Sequence, residues 1–279
     1  MESPEYQKLL EIRTSPESKY LPQKLNGNII SALCLKVLNS YPDLPKIRTL
    51  EVLETLAYAY CTVNKTIEAT ETLDRISVLI PDKLSIRKMI IEATIMKQAG
   101  LYKNAQEVLQ RCLEIDECNM EAPPLISECM DLAGDIVGAI EFLVGYLSIH
   151  LQVSFSITKD TEAWLQLSGM YIRTFNLHKA RFCVEEVLMM NPKDLLVVLK
   201  WAGLLDDEKR FEEAVKAYCL AIEIKHDCRL AWIGIQRCTK TLIDESEKEY
   251  LERRGVNTEK CSSAVDLYNL SSSQLRQLE

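Results

Sequence analysis

The chain has 279 residues, 47% of them hydrophobic, and 33 Lys and Arg stand against 41 Asp and Glu for a formal net charge of −8 at pH 7. That is core material for one elongated domain or two compact ones. With an acidic balance and no basic stripe to neutralise phosphates, a nucleic-acid partner is excluded, and bulk charge also disfavours acidic partners.

Residues 1–27 hold Pro4, Pro16 and Pro22 among charged residues and read as a loose arm, with one helical piece around residues 6–12. Residues 28–41 read as a capping helix, because NIISALCLKVLNS is amphipathic and stops ahead of Pro42. From about Leu50 the pattern becomes periodic.

The period is clearest over 161–194. Trp164, Leu167, Tyr171, Ile172 and Phe175 recur at three- and four-residue steps and line one stripe of a first helix. Asn176 marks a turn, Ala180, Val184, Val187 and Leu188 share a face of a second helix, and Asn191-Pro192 stops it. The small residues Ser168 and Ala180 let the two helices approach closely. One such hairpin cannot bury both its faces, so it needs neighbours.

Sliding the 34-residue frame finds them. Leu53, Leu56, Ala57, Tyr60, Ala69, Leu73 and Pro81 mark a repeat at 50–83, and Met89, Ala93, Met96, Ala105 and Leu109 mark one at 86–119. Ile126, Ser127, Met130, Ala139, Leu143 and Tyr146 mark 120–153, and Val198, Trp201, Ala202, Leu205, Ala214, Tyr218 and Ala221 mark 195–228. Two residues, Leu84 and Ser85, and seven, 154–160, lie outside the frames and lengthen turns. The residues expected to pack the repeats are Ala57, Ala69, Ala93, Ala105, Ala139, Trp164, Leu167, Tyr171, Ala180, Pro192, Trp201, Ala214 and Ala221. The apolar run 136–151 is short, contains Glu141 and coincides with a second helix, so it reads as core and not as a bilayer span. A further helix begins at 229 with Ala231, Trp232 and Ile235, but no clean second helix follows. Residues 239–279 read as a charged helical cap and a tail loosened by Ser262, Ser263 and the serines at 271–273, with Val265, Leu267 and Leu270 available to dock.

Nothing in the chain carries catalytic chemistry. His150, His178 and His226 lack metal-ligand spacing, no glycine-rich phosphate loop or nucleophile motif occurs, and Asp206-Asp207 and Glu185-Glu186 read as solvated helix ends and faces. No cofactor, metal or enzymatic activity is expected. The ten cysteines form no CxxC pair, and Met1-Glu2-Ser3-Pro4 does not open a secretory leader, so they read as buried thiols in a reducing compartment.

The order Trp164-x2-Leu167-Ser168-x2-Tyr171, Ala180-x3-Val184 and Pro192 resembles the tetratricopeptide-repeat family, with Ser for the usual Gly and Val for the usual Phe. The resemblance implies an all-α, right-handed superhelical solenoid over 28–238 with capping helices at both ends, its concave face lined by first helices where peptides or partner helices lie. Carried over position by position, the groove would present Glu51, Glu54 and Tyr58, then Arg87, Ile90, Thr94 and Lys97, then Leu165, Gly169 and Ile172, then Leu196, Leu199 and Gly203. Tyr58, Ile90, Lys97, Leu165, Ile172, Leu196 and Leu199 are the candidate partner-binding set. The clamp by which chaperone adaptors of this family hold a carboxylate is missing, since Glu54, Tyr58, Ile91, Glu121 and Leu125 occupy its positions. The apolar later groove suits a helix or apolar segment of a permanent partner instead.

Within that family, DTEAWLQLSGMYI and HKARFCVEEVLMMNP resemble the subunit 2 family of the endoplasmic reticulum membrane protein complex, and a weaker similarity runs from about Asn28 to Cys238. This implies a non-catalytic scaffold, peripheral on the cytosolic face of that membrane, holding membrane-spanning and cytosolic subunits together for insertion of tail-anchored and multi-spanning proteins. A soluble tetratricopeptide adaptor for a chaperone or assembly partner is the alternative.

Overall fold

The computed structural model describes residue 7 and residues 23–41, 45–82, 84–153, 160–253 and 258–277. The helical piece expected around residues 6–12 lies outside them, Gln7 apart. Among the described residues all regular structure is helical: α1 (Gln23–Ser40), α2 (Lys46–Thr62), α3 (Thr66–Leu79), α4 (Ile86–Gln98), α5 (Tyr102–Ile115), α6 (Ala122–Leu132), α7 (Ile136–Val153), α8 (Thr161–Arg173), α9 (Leu177–Met190), α10 (Leu195–Asp207), α11 (Phe211–Ile224), α12 (Arg229–Arg253) and α13 (Thr258–Gln277).

Five tight turns join α2 to α3, α4 to α5, α6 to α7, α8 to α9 and α10 to α11, and all five are built alike. Each has one residue in the left-handed region: Asn64, Gly100, Gly134, Phe175 and Lys209. The amide after it reaches back five residues, as Lys65 N–H does to the Tyr60 carbonyl (2.9 Å), Asn176 to Tyr171 (2.8 Å) and Arg210 to Leu205 (2.9 Å). This six-to-one closure satisfies carbonyls that the helix end would otherwise leave orphaned. Four residues after each closing amide an alanine amide bonds back to start the second helix, and these alanines, Ala69, Ala105, Ala139, Ala180 and Ala214, are all fully buried. The turn residues are 34 apart twice, 36 once and 41 once, the excesses matching the two inserted stretches. A hairpin with a buried alanine at its crossing is therefore the repeating unit.

By contact the chain divides into two units, Met1–Tyr146 and Leu147–Glu279. In the first, α1 packs on α2 closely enough that a Cβ on Gly27 would fall 2.3 Å from Thr62 Oγ1, and Val37, Val52, Leu53 and Leu56 form the core beside them. A second cluster around Ile90, Ala105, Leu109 and Ile126 joins α4, α5 and α6. In the second unit Val198, Ala202, Leu205, Tyr218, Trp232 and Ile235 form the core of α10 to α12. There the Tyr218 ring lies against the backbone of Gly234, where a Cβ would meet it at 2.4 Å.

Several expectations differ from what is observed, the first being Phe175, which the spacing puts in the first helix's stripe and which is the exposed turn residue after α8. The boundary drawn at 238/239 falls inside α12, and the serines at 271–273 lie within α13, where Ser271 and Ser272 hydroxyls donate to the Tyr268 carbonyl and Ser273 to that of Leu270. Serine hydroxyls that bond back into the preceding turn sit in a helix at little loss, and Leu267 and Leu275 anchor α13 to the core while Val265 and Leu270 stay exposed. Pro192, expected to pack, is exposed in the turn after α9. The capping helix α1 begins at Gln23, before the expected residue 28. In α7 Ala139, Leu143 and Leu147 are buried four residues apart. No helix among the described residues is long and apolar enough to cross a membrane.

Candidate interaction surface

The first helices of the second unit, α8, α10 and α12, carry an apolar face that includes positions singled out from sequence. Local signals start two of them: the Asp160 carboxylate accepts from Ala163 N–H (3.1 Å), and that of Asp194 accepts from Leu196 N–H (3.0 Å). A carboxylate at a helix N-terminus satisfies orphan amides and matches the helix dipole. Side-chain bridges then tie the helices together. Lys200 Nζ on α10 donates to the Leu165 carbonyl on α8 (3.2 Å), and the Arg237 guanidinium on α12 bonds the Asp206 carboxylate on α10. Burial lowers the Lys200 pKa and, with Asp206 and Cys238 adding to it, pushes Tyr218 beside this bridge up to about 12.

Across these helices Leu165, Ile172 and Leu199 are half-buried, whereas Leu196 is 46% exposed, Leu230 66% and Ile233 42%. Gly169 and Gly203 lie among them with open space where a side chain would stand. Leu230, Ile233 and Arg237 were not anticipated. Carrying the 34-residue frame one step past 228 would have found them, since they sit where Leu196, Leu199 and Gly203 sit one repeat earlier.

The first unit presents the same positions differently. Arg87 on α4 bonds Glu54 on α2 (2.5 Å), and Lys97 on α4 bonds Glu128 on α6 (2.7 Å). Lys97, expected to face a partner, is thus committed to its neighbouring repeat. Ile90 is corrected outright: it is 3% exposed and packs in the core with Ala105, Leu109 and Ile126, because α5 and α6 pack against its side of α4. Tyr58 is 39% exposed, and partial burial of its side chain, then Glu121 and Glu54, raises its pKa.

Of the expected packing residues, Ala57, Ala93, Ala221, Trp164, Leu167 and Tyr171 are buried with the turn alanines. Trp201 is half-buried and donates Nε1–H to Glu185 (3.1 Å), which also accepts from Arg181 (2.5 Å). Arg181 continues to Glu208 (3.0 Å), fixing α9 against the end of α10. Glu185 and Asp206 are therefore structural ion-pair partners and not solvated faces. Buried thiols carry no nucleophilic character, as burial pushes Cys34, Cys183 and Cys238 up to about 12 and Cys61 and Cys129 to about 11. Among the described residues no group of three or more His, Cys, Asp or Glu could hold a metal ion.

Comparison with known proteins agrees with this geometry. The family model for the tetratricopeptide repeat matches residues 161–194. TPR repeat protein oca3 of Schizosaccharomyces pombe is 25% identical over 150 residues, 50% of this chain and 51% of that protein. ER membrane protein complex subunit 2 of Dictyostelium discoideum is 32% identical over 94 residues, 33% of this chain and 27% of that protein. The matches thus take in about a quarter to a half of these relatives' length. Among solved structures, pilF of Pseudomonas aeruginosa superposes with a TM-score of 0.52 at 15% identity, covering 82% of this chain and 99% of that one, which shows the helical-repeat solenoid fold alone. Family model, turn geometry and buried alanine all coincide on α8 and α9: residues 161–194 are a tetratricopeptide repeat, set in a chain of hairpins built the same way.

Proposed function

We propose that the chain is a non-catalytic scaffold that holds other proteins through the first-helix face of its second unit. The observation that carries this is the run of exposed Leu196, Leu230 and Ile233 with half-buried Leu165 and Leu199 between them, across three bridged helices, where the first unit sets the Glu54–Arg87 ion pair at corresponding positions. Covering an exposed leucine contributes about 1.5–3 kcal/mol, so a handful suffices for a lasting complex.

Similarity to ER membrane protein complex subunit 2 over a third of the chain supports a place as the corresponding subunit of a membrane protein complex. There it would sit in the cytoplasm, peripheral on the cytosolic face of the endoplasmic reticulum, organising membrane-spanning and cytosolic subunits for insertion of tail-anchored and multi-spanning proteins. The test is affinity purification of the tagged chain from mild-detergent membranes beside a Leu196→Glu/Leu230→Glu variant. Multi-spanning subunits in near-equal amounts, lost with the variant, support the reading. Recovery of soluble chaperones alone sinks it and leaves a soluble adaptor.

A further inference from the structure

Phe175 is out of place in two respects. It takes the left-handed turn position between α8 and α9 (φ 57°) that Asn64, Gly100, Gly134 and Lys209 take in the other hairpins, and a bulky aromatic is a costly choice there. Its ring gains no packing in return, since it is 89% exposed at the tip of the turn. Strain without packing points to a use outside the fold.

The helix that follows continues the pattern. Ala180, Cys183, Val184 and Val187 bury one side of α9, and on the opposite side Phe182 and Met189, two turns apart, are 51% and 72% exposed. Cations accompany them. His178 and Lys179 are exposed in the first turn, with Lys179 Nζ held over the Tyr171 ring (5.5 Å), and Lys193 is exposed just past the helix end. Of the two acids, Glu186 is half-buried and Glu185 is bonded to Arg181 and Trp201. From Arg173 to Lys193 four Lys and Arg stand against two Glu in a chain of net charge −8, so the charge is locally reversed. Two other second helices lack this combination. Exposed Ile67 and Val78 on α3, and exposed Leu220 on α11, lie on helices that each carry three acids to one base.

Protruding aromatic and methionine side chains among Lys and His suit a helix that lies in the headgroup region of a bilayer, where the apolar groups sink below the cations and the cations meet anionic lipids. No helix among the described residues can cross a membrane, so they can meet a bilayer only at its surface through such a face. Resting on the peripheral placement above, we propose that the turn at Phe175 and the exposed side of α9 are a contact site for an anionic membrane surface. Phe175, Phe182 and Met189 enter the interfacial layer, and Lys179 and Lys193 meet its phosphates.

The test is flotation of the full chain with vesicles of phosphatidylcholine alone and of phosphatidylcholine with about 30% phosphatidylserine, at low salt and at about 0.5 M salt. The parent should float with the anionic vesicles at low salt only. Phe175→Asn/Met189→Gln and, separately, Lys179→Gln/Lys193→Gln should each lower that partitioning at least about tenfold. The first variant should melt no lower than the parent, because asparagine suits the left-handed turn, and Phe182 stays in place because its ring packs edge-on against Trp164. No floating of the parent, or undiminished floating of either folded variant, overturns the proposal. An acidic peptide of Glu, Leu and Phe is the competing probe: binding of that peptide and not of the vesicles, lost with the same variants, assigns the face to a protein segment and overturns it too. The scaffold reading is judged separately, by purification of Leu196→Glu/Leu230→Glu. Subunits lost there without floating of the parent leave a scaffold with no membrane contact of its own; floating of the parent with subunits kept leaves the membrane contact and sinks the scaffold face.

Discussion

The two units use one hairpin and treat its first-helix face in opposite ways. In the first, Arg87 and Lys97 on α4 reach Glu54 on α2 and Glu128 on α6, so the charges serve the repeats. In the second, the positions corresponding to Glu54 and Arg87 are both leucine, Leu165 with Leu196 and Leu199 with Leu230. The same backbone thus yields a face that is complete in itself or one that gains by being covered. A handful of side chains on a shared scaffold decides between them.

The largest expected effect tests what the units share. Ala180→Leu in the second unit and Ala69→Leu in the first should each lower stability by about 1–3 kcal/mol, because both alanines lie fully buried at a helix crossing. Chemical denaturation measures this, and a loss in only one of them would mean the hairpins are not equivalent.

The ion pairs should separate the units. Lys97–Glu128 and Asp206–Arg237 span the same 31 residues, but the Glu128 side chain is 42% exposed and that of Asp206 is 8%. Arg237→Met, which leaves a nearly buried carboxylate without its guanidinium, should cost about 1–3 kcal/mol. Lys97→Met should cost at most about 1 kcal/mol, since water can replace what Glu128 loses. Equal losses would break the contrast between the two faces.

Next comes a pair of serines at one repeat position. Ser127 Oγ donates to the Ala139 carbonyl (3.3 Å), whereas Ser168 Oγ is buried with no hydrogen-bond partner. Ser127→Ala should therefore lose about 1 kcal/mol and Ser168→Ala gain about as much, opposite shifts in melting temperature from one substitution.

The smallest effect is electrostatic. Burial and then Glu185 raise the Glu186 pKa. An acid raised on folding contributes stability that is full below its unfolded pKa and is lost as pH rises through the folded value. Glu186→Gln should consequently be more stable than the parent at neutral pH and lose that advantage by about pH 4; a constant difference across that range would refute the assignment.

The sequence by itself determined the repeating hairpin. A small residue at the crossing and apolar residues at helical spacing are local signals, and local geometry repeats wherever they repeat. The left-handed turn residue was not among them, since Phe175, which the spacing puts in the first helix's stripe, takes that place. It also marked the apolar character of Leu165, Leu196 and Leu199. What only the tertiary structure decided was which marked positions stay open. Ile90 occupies the same place in its repeat as Leu165 and Leu199, yet it is core because side chains of α5 and α6 pack over it. Glu185 and Asp206 read as solvated until Arg181 and Arg237, four and 31 residues away, came within bonding reach. Exposure and pairing belong to the neighbouring repeat as much as to the residue, and the side chain that will face it cannot be read from its own repeat alone.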